Sequence, residues 1–430
     1  MDKYSSKIFS ELSEERAIEI LKTPLAQLGN KSQRPIAASY LVNFPTDNAI
    51  NTLIEVVRKN KTNIEANIEA NIEDKITQAK AIETLGILKV NEALEVIANH
   101  LCDDDKYLVE NAVTAIGEIG CNDIKILAQI ADLLDKPGQS YCTIIQTLAK
   151  LNYKAALEKI REFSQSQDAT ITSAAMTTIY QFTGDATMLE GLVKFLQHPN
   201  GNIRRSVIKD LMDGRYYQAI PQIAQCPVSL VFRARGIRHL ADLAFYSGNM
   251  AFSDLQPSID RIIFDHPYDL KLIHGYDQKP GVERAISDLY HTDFGIGYLA
   301  TQTIIKNYPK AGEALAASYQ KDGINNYGAH YHIVKLWGWL KYQPAYDLLI
   351  EALHNMQPQF LKSRTAAAIA LGNLGDKRAI PELKSCLQLP LWELKYACLT
   401  TLEHLGDNSG KEICADDPDW LIQARVATIP

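Results

Sequence analysis

The residue types best suited to chemistry are concentrated between about Phe245 and Asp293. This stretch interrupts a regular series of apolar helices and is rich in histidine, tyrosine and proline: His266, His274, His291, Tyr246, Tyr268, Tyr276, Tyr290, Pro257, Pro267 and Pro280. Irregular segments on a rigid scaffold are where binding groups concentrate, and histidine and tyrosine both serve in acid–base catalysis. Segment 245–293 is therefore the first candidate for a site. The alternative is a spacer that joins two halves of the chain.

Histidine and aromatic residues also begin two predicted helices downstream, in HTDFGIGYLATQTIIKNY and NNYGAHYHIVKLWGWLKY. The early turns of these helices carry His291, Asp293, Tyr298, His330 and His332. If consecutive repeats stack in register, such positions recur along one edge and face a common groove. For any single histidine a structural role is the alternative, so the prediction depends on the cluster.

A basic cluster precedes the irregular segment in the sequence FRARGIRHLADLAF. Arg235, Arg238 and His239 fall within about one helical turn, and guanidinium groups bind carboxylates as bidentate forks. These residues are candidates for binding an acidic ligand. The alternative is an ordinary ion pair between Arg238 and Asp242, which contributes little to stability.

Several kinds of chemistry are not indicated. The chain has no GxSxG, GxxxxGK[ST] or HExxH motif, and no GxGxxG between a strand and a helix. It has no His-Glu dipeptide, whereas some helical-repeat hydroxylases bind two irons through His-Glu pairs. Its seven cysteines are scattered and never spaced CxxC, so we expect no metal site, no disulfide framework, and mostly buried thiols.

A repeat of helix pairs dominates the organisation of the chain. Apolar helices recur with the anchors Leu85, Ile116, Leu148, Ile179 and Leu211, separated by 31, 32, 31 and 32 residues. A second series, Thr303, Trp337, Leu371 and Leu402, has separations of 34, 34 and 31 residues. Each repeat has room for two helices and two short turns, and no stretch alternates as a strand does. The sequence therefore predicts an all-α protein, an α-solenoid superhelix with a repeat of about 31–34 residues.

The predicted organisation is one solenoid over residues 1–430. N-terminal repeats occupy 1–244, with a triplicated polar insertion at 60–75 that we expect to be a helical extension or a mobile loop. The irregular segment 245–293 follows, and C-terminal repeats occupy 294–430. Within the repeats, Gly372 and Gly375 both suit a helix C-terminus.

Charge and hydropathy limit the partners. The formal net charge is −7, which offers no general attraction for nucleic acid or an anionic membrane. The N-terminus lacks the pattern of a secretory signal, and no apolar run approaches the roughly 18 residues of a spanning helix. We therefore expect a cytoplasmic protein that binds neither nucleic acid nor membrane.

Four segments are more specific: HPYDLKLIHGYDQ at 266–278, HTDFGIGYLATQT at 291–303, YHIVKLWGWLKYQPAYDLLIEAL at 331–353 and PQFLKSRTAAAIALGNLGD at 358–376. They resemble the long single-chain members of the E/F-type bilin lyases, whose repeats are phycobilisome-lyase HEAT-like repeats. Within that family the chain is most similar to members that attach phycoerythrobilin to the α-subunit of phycoerythrin.

The resemblance implies an enzyme that binds a free linear tetrapyrrole and promotes thioether formation with a cysteine of the client. It needs neither a cofactor nor a reactive cysteine of its own, and a helper subunit is a further possible partner. Two alternatives stay open. One is a lyase that also isomerises the pigment to phycourobilin, although the chain lacks an adjacent His-Cys pair. The other is a non-enzymatic HEAT-repeat scaffold or chaperone for a phycobiliprotein.

The resemblance and the chemistry of a bilin also assign roles. Asp269 or Asp293 would hydrogen-bond the pyrrole nitrogens, and Tyr268, His266 or His291 would transfer protons. The propionates and the ring surface would be bound by the remaining candidates: Arg235, Arg238, His239, His274, Tyr298, His330, Tyr331, His332, Trp339 and Arg364.

Overall fold

The computed structural model describes residues 12–58 and 68–429, in which every regular element is a helix. The all-α prediction is confirmed. The chain divides into two compact units, Met1–Ala186 and Thr187–Pro430. No helix in the described residues is long and apolar enough to cross a membrane.

Unit 1 is a stack of helix pairs. Its α-helices are α1 (Glu14–Lys22), α2 (Gln33–Tyr40), α3 (Asp47–Arg58), α4 (Ile68–Ile87), α5 (Leu94–Ala98), α6 (Lys106–Ile119), α7 (Ile124–Asp132), α8 (Tyr141–Lys150), α9 (Leu157–Glu162) and α10 (Ala169–Thr183). The even-numbered helices from α2 to α10 pack on one another in sequence, and the odd-numbered helices α3 to α9 cover them. Residues 60–67 of the predicted insertion lie outside the described residues, whereas 68–75 begin helix α4.

Unit 2 continues the pattern with longer helices that alternate with shorter ones. Its α-helices are α11 (Thr187–Leu192), α12 (Gly201–Asp213), α13 (Ile220–Ala224), α14 (Leu230–Tyr246), α15 (Phe252–Phe264), α16 (Val282–Asp288), α17 (Phe294–Asn307), α18 (Gly312–Lys321), α19 (Tyr327–Trp339), α20 (Tyr346–His354), α21 (Leu361–Leu374), α22 (Ile380–Cys386), α23 (Trp392–His404), α24 (Gly410–Ile413) and α25 (Trp420–Ala427). Helices α17, α19, α21, α23 and α25 pack in that order, and α18, α20 and α22 cover them.

Two glycines inside helices explain how closely the long helices approach. A Cβ atom on Gly338 would lie 2.5 Å from the Cα of Ala370, and one on Gly372 would lie 2.9 Å from a methyl of Thr401. Gly372 is therefore an interhelical contact inside α21, and its predicted place at a helix C-terminus is wrong. Gly375 does end that helix, with a left-handed φ of 72°.

The end of unit 2 folds back on its beginning. Arg238 of α14 forms an ion pair of 2.7 Å with Asp419, and the rings of Phe245 and Trp420 stack with centroids 4.0 Å apart. In addition, α15 packs against both α21 and α23. In an open solenoid each repeat contacts only its neighbours, so these contacts make unit 2 a closed arrangement.

Only about half of segment 245–293 is helical. It contains α15, whose interior includes Pro257, and α16, with a non-helical run at 270–281 before α16. Helix α15 ends at Asp265, which has left-handed backbone angles of φ 47° and ψ 44°. The division of the chain at 244 and 293 stays a prediction.

Five of the seven cysteines are buried: Cys121, Cys226, Cys386, Cys398 and Cys414. The prediction that most thiols act as small buried side chains is confirmed.

Candidate functional site

A cavity of about 510 Å³ lies in unit 2 where six long helices begin. Residues in the first turns of α12, α14, α17, α19, α21 and α23, or directly before them, line it. Its walls are mainly apolar and aromatic: Val228, Leu230, Val231, Phe232, Phe294, Tyr327, Leu361 and Leu391. Its size falls within the roughly 300–1,000 Å³ typical of sites for small molecules.

The helix starts contribute partial positive charge to the walls of the cavity. Helix N-termini carry partial positive charge and backbone N–H groups that no intrahelical carbonyl accepts. Side chains cap α12, α17 and α19, through Asn200, Asp293 and Asn326. The cap residues of α14, α21 and α23 accept no capping hydrogen bond through their side chains. The first backbone N–H groups of these three helices are therefore not capped by the side chain of the cap residue.

Asp293 joins the cavity to a polar network. Its Oδ1 accepts hydrogen bonds from the backbone N–H of Gly295 at 2.8 Å and from Arg204 at 2.6 Å, and its Oδ2 lies 3.2 Å from Nε2 of His274. His291 accepts a hydrogen bond from the backbone N–H of Asp293 at 2.9 Å. Arg204 is fully buried, so Asp293 both caps α17 and neutralises a buried cation.

Lys362 is the buried cation of the cavity. Only 9% of its surface is exposed, and its ammonium lies 4.2 Å from the ring centroid of Phe294 and 4.6 Å from that of Tyr327. Along residues 12–58 and 68–429, its Nζ contacts the aromatic rings of Phe294, Tyr327 and Tyr331 and forms no ion pair or hydrogen bond with a side chain. Burial lowers the pKa of Lys362 to about 7, and this site would favour an anionic group beside it.

Glu393 lies in the wall of the cavity, on α23, the next long helix after the α21 of Lys362. Its Oε2 is buried and has no hydrogen-bond partner in the part of the chain that the structure describes. Burial raises the pKa of this carboxyl group. Such a group suits the binding of a ligand N–H or the donation of a proton.

A second, fully buried network lies next to the cavity and centres on Asp265. Its carboxylate accepts hydrogen bonds from Arg233 at 2.5 Å and Tyr298 at 2.7 Å, and from Tyr331 and Lys335. The neighbouring cations hold the pKa of Asp265 well below its usual range, although burial opposes this. Burial lowers the pKa of Lys335 to about 8. Tyr331 also contacts Lys362, at 5.3 Å from ring centroid to Nζ.

A separate groove of about 440 Å³ contains other predicted residues. His266, Asp269 and Trp339 line it, and the rings of His266 and Trp339 meet edge to face at 4.9 Å. Burial lowers the pKa of His266, and its ring stacks on that of Tyr268. The groove is more open to solvent than the cavity. The predicted catalytic residues are thus divided between two places, with Asp293 at the cavity and Asp269, Tyr268 and His266 at or beside the groove.

The predicted arginines and the histidine of α14 do not line the cavity. Arg238 is paired with Asp242 at 2.8 Å as well as with Asp419, so its alternative interpretation as an ion pair is confirmed. Arg235 and His239 are exposed. Arg364 is buried and donates a hydrogen bond of 2.7 Å to the carbonyl of Leu353.

The predicted histidines of α19 are buried in the helix layer. His330 bonds Tyr319 and Ser363, and His332 lies 3.2 Å from the hydroxyl of Thr301. Burial lowers the pKa of His330 to about 4 and that of His332 as well. Both rings are therefore neutral near pH 7, with structural hydrogen bonds.

Sequence reasoning missed several residues of the cavity and its supporting network: Arg204, Arg205, Arg233, Asp265, Lys335, Lys362 and Glu393. A signal for two of them was available. Lys362 and Glu393 are both the second residue of a long repeat helix, as Gly295 and Gly328 are in α17 and α19. The spacing of the repeats places them at the same point of their helices, but none of the predicted residues occupies that point in α17 or α19.

The chain is similar to known proteins in sequence and in fold. The PBS lyase HEAT-like repeat matches residues 363–388. An uncharacterized phycocyanin operon protein Y of Pseudanabaena tenuis is 48% identical over 99% of both chains. The bilin biosynthesis protein CpeY of a Synechococcus strain is 29% identical over 90% of this chain and 95% of that protein.

A solved complex of CpcE and CpcF of phycocyanin lyase from a Nostoc strain is 23% identical, with a TM-score of 0.47, and covers 59% of this chain and 94% of that chain. The extent of the sequence match to the Pseudanabaena protein, together with the repeat, confirms the resemblance on which the prediction of a lyase depended. This chain belongs to the family of E/F-type bilin lyases with phycobilisome-lyase HEAT-like repeats.

Proposed function

We propose that this chain binds phycoerythrobilin in the cavity of unit 2 and attaches it to a cysteine of the phycoerythrin α-subunit. The observation that carries the proposal is the combination of six helix starts, aromatic walls and an unpaired buried lysine in one cavity. A bilin has two propionates, pyrrole N–H groups and a large π surface. Cations and helix N-termini bind propionates, carboxylates bind pyrrole N–H groups, and aromatic rings stack on the π surface.

The reaction needs no group outside the two substrates. The client thiol adds across the ethylidene double bond of the A-ring, so that one C–S bond and one C–H bond form and nothing is released. Protonation of the bilin makes its A-ring electrophilic, and a carboxyl group in the cavity favours that form. Asp293 is the sequence-predicted carboxylate at the cavity, and Glu393 adds a second.

The rim of the cavity suits contact with a protein client. Val231, Phe232 and Tyr327 line the cavity and are 52%, 37% and 48% exposed. Large apolar side chains exposed beside a cavity are typical of interaction surfaces. In the proposed function the client cysteine approaches through this rim, and the chain's own thiols take no part.

The test is co-expression of the full chain with a phycoerythrin α-subunit and a pathway that produces phycoerythrobilin. The product is denatured, and its zinc-enhanced fluorescence and absorbance are recorded. A covalent adduct with the phycoerythrobilin spectrum supports the proposed function, and a urobilin spectrum identifies a lyase-isomerase instead.

Two further outcomes would contradict parts of the proposal. A client that binds the chain but receives no pigment favours a scaffold or chaperone. The name of the Pseudanabaena relative refers to a phycocyanin operon, so a phycocyanin α-subunit with phycocyanobilin is the matched control. If pigment is transferred only to the phycocyanin α-subunit, the proposed substrate is wrong, but the proposed lyase activity stands. A helper subunit is added if the client stays insoluble.

A further inference from the structure

We propose that Lys362 and Glu393 bind opposite chemical groups of the same bilin, Lys362 a propionate and Glu393 the pyrrole N–H groups. This inference rests on the proposed function and adds the two groups that orient the pigment. It concerns residues that sequence reasoning did not select. It also implies that the enzyme binds the protonated, electrophilic form of the bilin.

Lys362 has no anionic partner in an ion pair among the residues that the structure describes. Its neighbours in the cavity wall are the faces of Phe294 and Tyr327, which attract a cation only moderately. Asp265, the buried carboxylate whose charge acts on Lys362, is already bound to Arg233 and Lys335. A free propionate would give Lys362 a charged partner between two aromatic rings.

Glu393 offers the complementary group. Its Oε2 is without a hydrogen-bond partner in the described chain, while a pyrrole N–H is a donor that lacks a partner when a bilin leaves water. A carboxylate beside the pyrrole nitrogens stabilises their protonated, cationic form. Burial raises the pKa of the Glu393 carboxyl group, and a cationic pyrrole system beside it would compensate for burying its charge.

The two groups are placed by the repeat itself. Each is the second residue of a long helix, Lys362 in α21 and Glu393 in α23, and these helices pack side by side. One repeat step therefore separates the cationic and the anionic group along the cavity. A pigment bound by both has a fixed direction, which determines the ring that faces the rim at Phe232.

The experiment measures binding of two probes, phycoerythrobilin and its dimethyl ester, to the full chain by absorbance and fluorescence quenching. The variants are Lys362→Met and Glu393→Gln, with Lys321→Met and Glu313→Gln as controls on exposed side chains. We expect the wild type to prefer the acid over the ester by about tenfold or more, since a hydrogen bond between charged groups contributes roughly 1.5–3 kcal/mol. Lys362→Met should bind both probes equally.

Glu393→Gln should retain the preference for the acid and lose the absorbance of the protonated bilin. Circular dichroism and the unfolding temperature check that each variant folds. If Lys362→Met keeps the full preference for the acid, or Glu393→Gln keeps the protonated spectrum, the corresponding role is wrong while the proposed function stands. If the wild type binds neither probe, the proposed function itself fails.

Discussion

The carboxylate of Asp265 accepts a 2.5 Å hydrogen bond from the guanidinium of Arg233 in the interior of unit 2, where both side chains are at most 2% exposed. Lys335 binds the same carboxylate and also donates a hydrogen bond of 2.6 Å to the backbone carbonyl of Asp265. Asp265 ends α15, Arg233 belongs to α14 and Lys335 to α19. One buried carboxylate therefore connects three helices beside the cavity.

Asp265→Asn tests the importance of this connection. Asparagine tolerates the left-handed backbone that Asp265 adopts, so the variant removes the charge without adding backbone strain. Two buried cations lose their counter-ion, and we expect the free energy of unfolding to fall by about 3–5 kcal/mol. Urea unfolding followed by circular dichroism measures the change.

The control for Asp265→Asn is Asp277→Asn, in the exposed loop between α15 and α16. It should change stability by less than about 0.5 kcal/mol. An equally small change for Asp265→Asn would show that the network is not needed for stability.

A pH-dependent contribution to stability is expected from Lys362. Its pKa is about 7 in the folded protein, below its ordinary value of 10.5, so the unfolded chain binds the proton more tightly. Stability due to this lysine therefore rises with pH between about 7 and 10.5 and is flat below that range. Asp265, Lys335, Tyr327 and Tyr331 lie near the same ammonium. Lys335, whose pKa burial lowers to about 8, titrates in the same range, so its contribution is removed by comparing the wild type with Lys362→Met at each pH.

Lys362→Met should consequently stabilise the protein without bilin, and the gain should be larger at pH 6.5 than at pH 9.5, by about 1 kcal/mol or more. Thermal unfolding at both values measures it, with Lys321→Met as the exposed control. A gain that is the same at the two pH values would show that Lys362 is not a buried cation in solution.

Local sequence signals were enough for the fold of each repeat. The period of apolar residues is a property of neighbouring positions, and so is the left-handed glycine at Gly375 that ends a helix. Contacts over long sequence distances left no such signal. The pair of Arg238 and Asp419 spans 181 positions, and nothing in a repeat pattern indicates that the last helix returns to α14.

The candidate site was predictable only in part, for the same reason. Asp293 was found because it lies at the start of a repeat helix in the distinctive motif HTDFG, whereas Asp265 and Arg233 have ordinary sequence neighbours. Their importance comes from burial and from partners 32 to 70 positions away. Histidines drew attention in the sequence, yet His330 and His332 are buried, with hydrogen bonds inside the helix layer.

Close packing of the long helices gives a prediction that opposes helix propensity. Alanine normally stabilises a helix by about 1 kcal/mol relative to glycine. In Gly338→Ala the added methyl would meet the backbone of Ala370 at 2.5 Å, so we expect a loss of about 1–3 kcal/mol instead. Gly275→Ala, which has nothing within 4 Å, is the control and should be nearly neutral. A more stable Gly338→Ala protein would mean that α19 and α21 separate easily.

The cavity and the groove can be compared as bilin sites with one variant in each. Tyr327→Leu removes an aromatic ring from the cavity, and Asp269→Asn removes the charge of an exposed carboxylate at the groove. We expect Tyr327→Leu to weaken phycoerythrobilin binding about fivefold, because an aromatic contact contributes roughly 1 kcal/mol. Asp269→Asn should bind and transfer the pigment as the wild type does. Titration of each variant with phycoerythrobilin, followed by the transfer assay, measures both effects. The reverse result would place the pigment in the groove beside His266 and Trp339 and assign the catalytic carboxylate to Asp269.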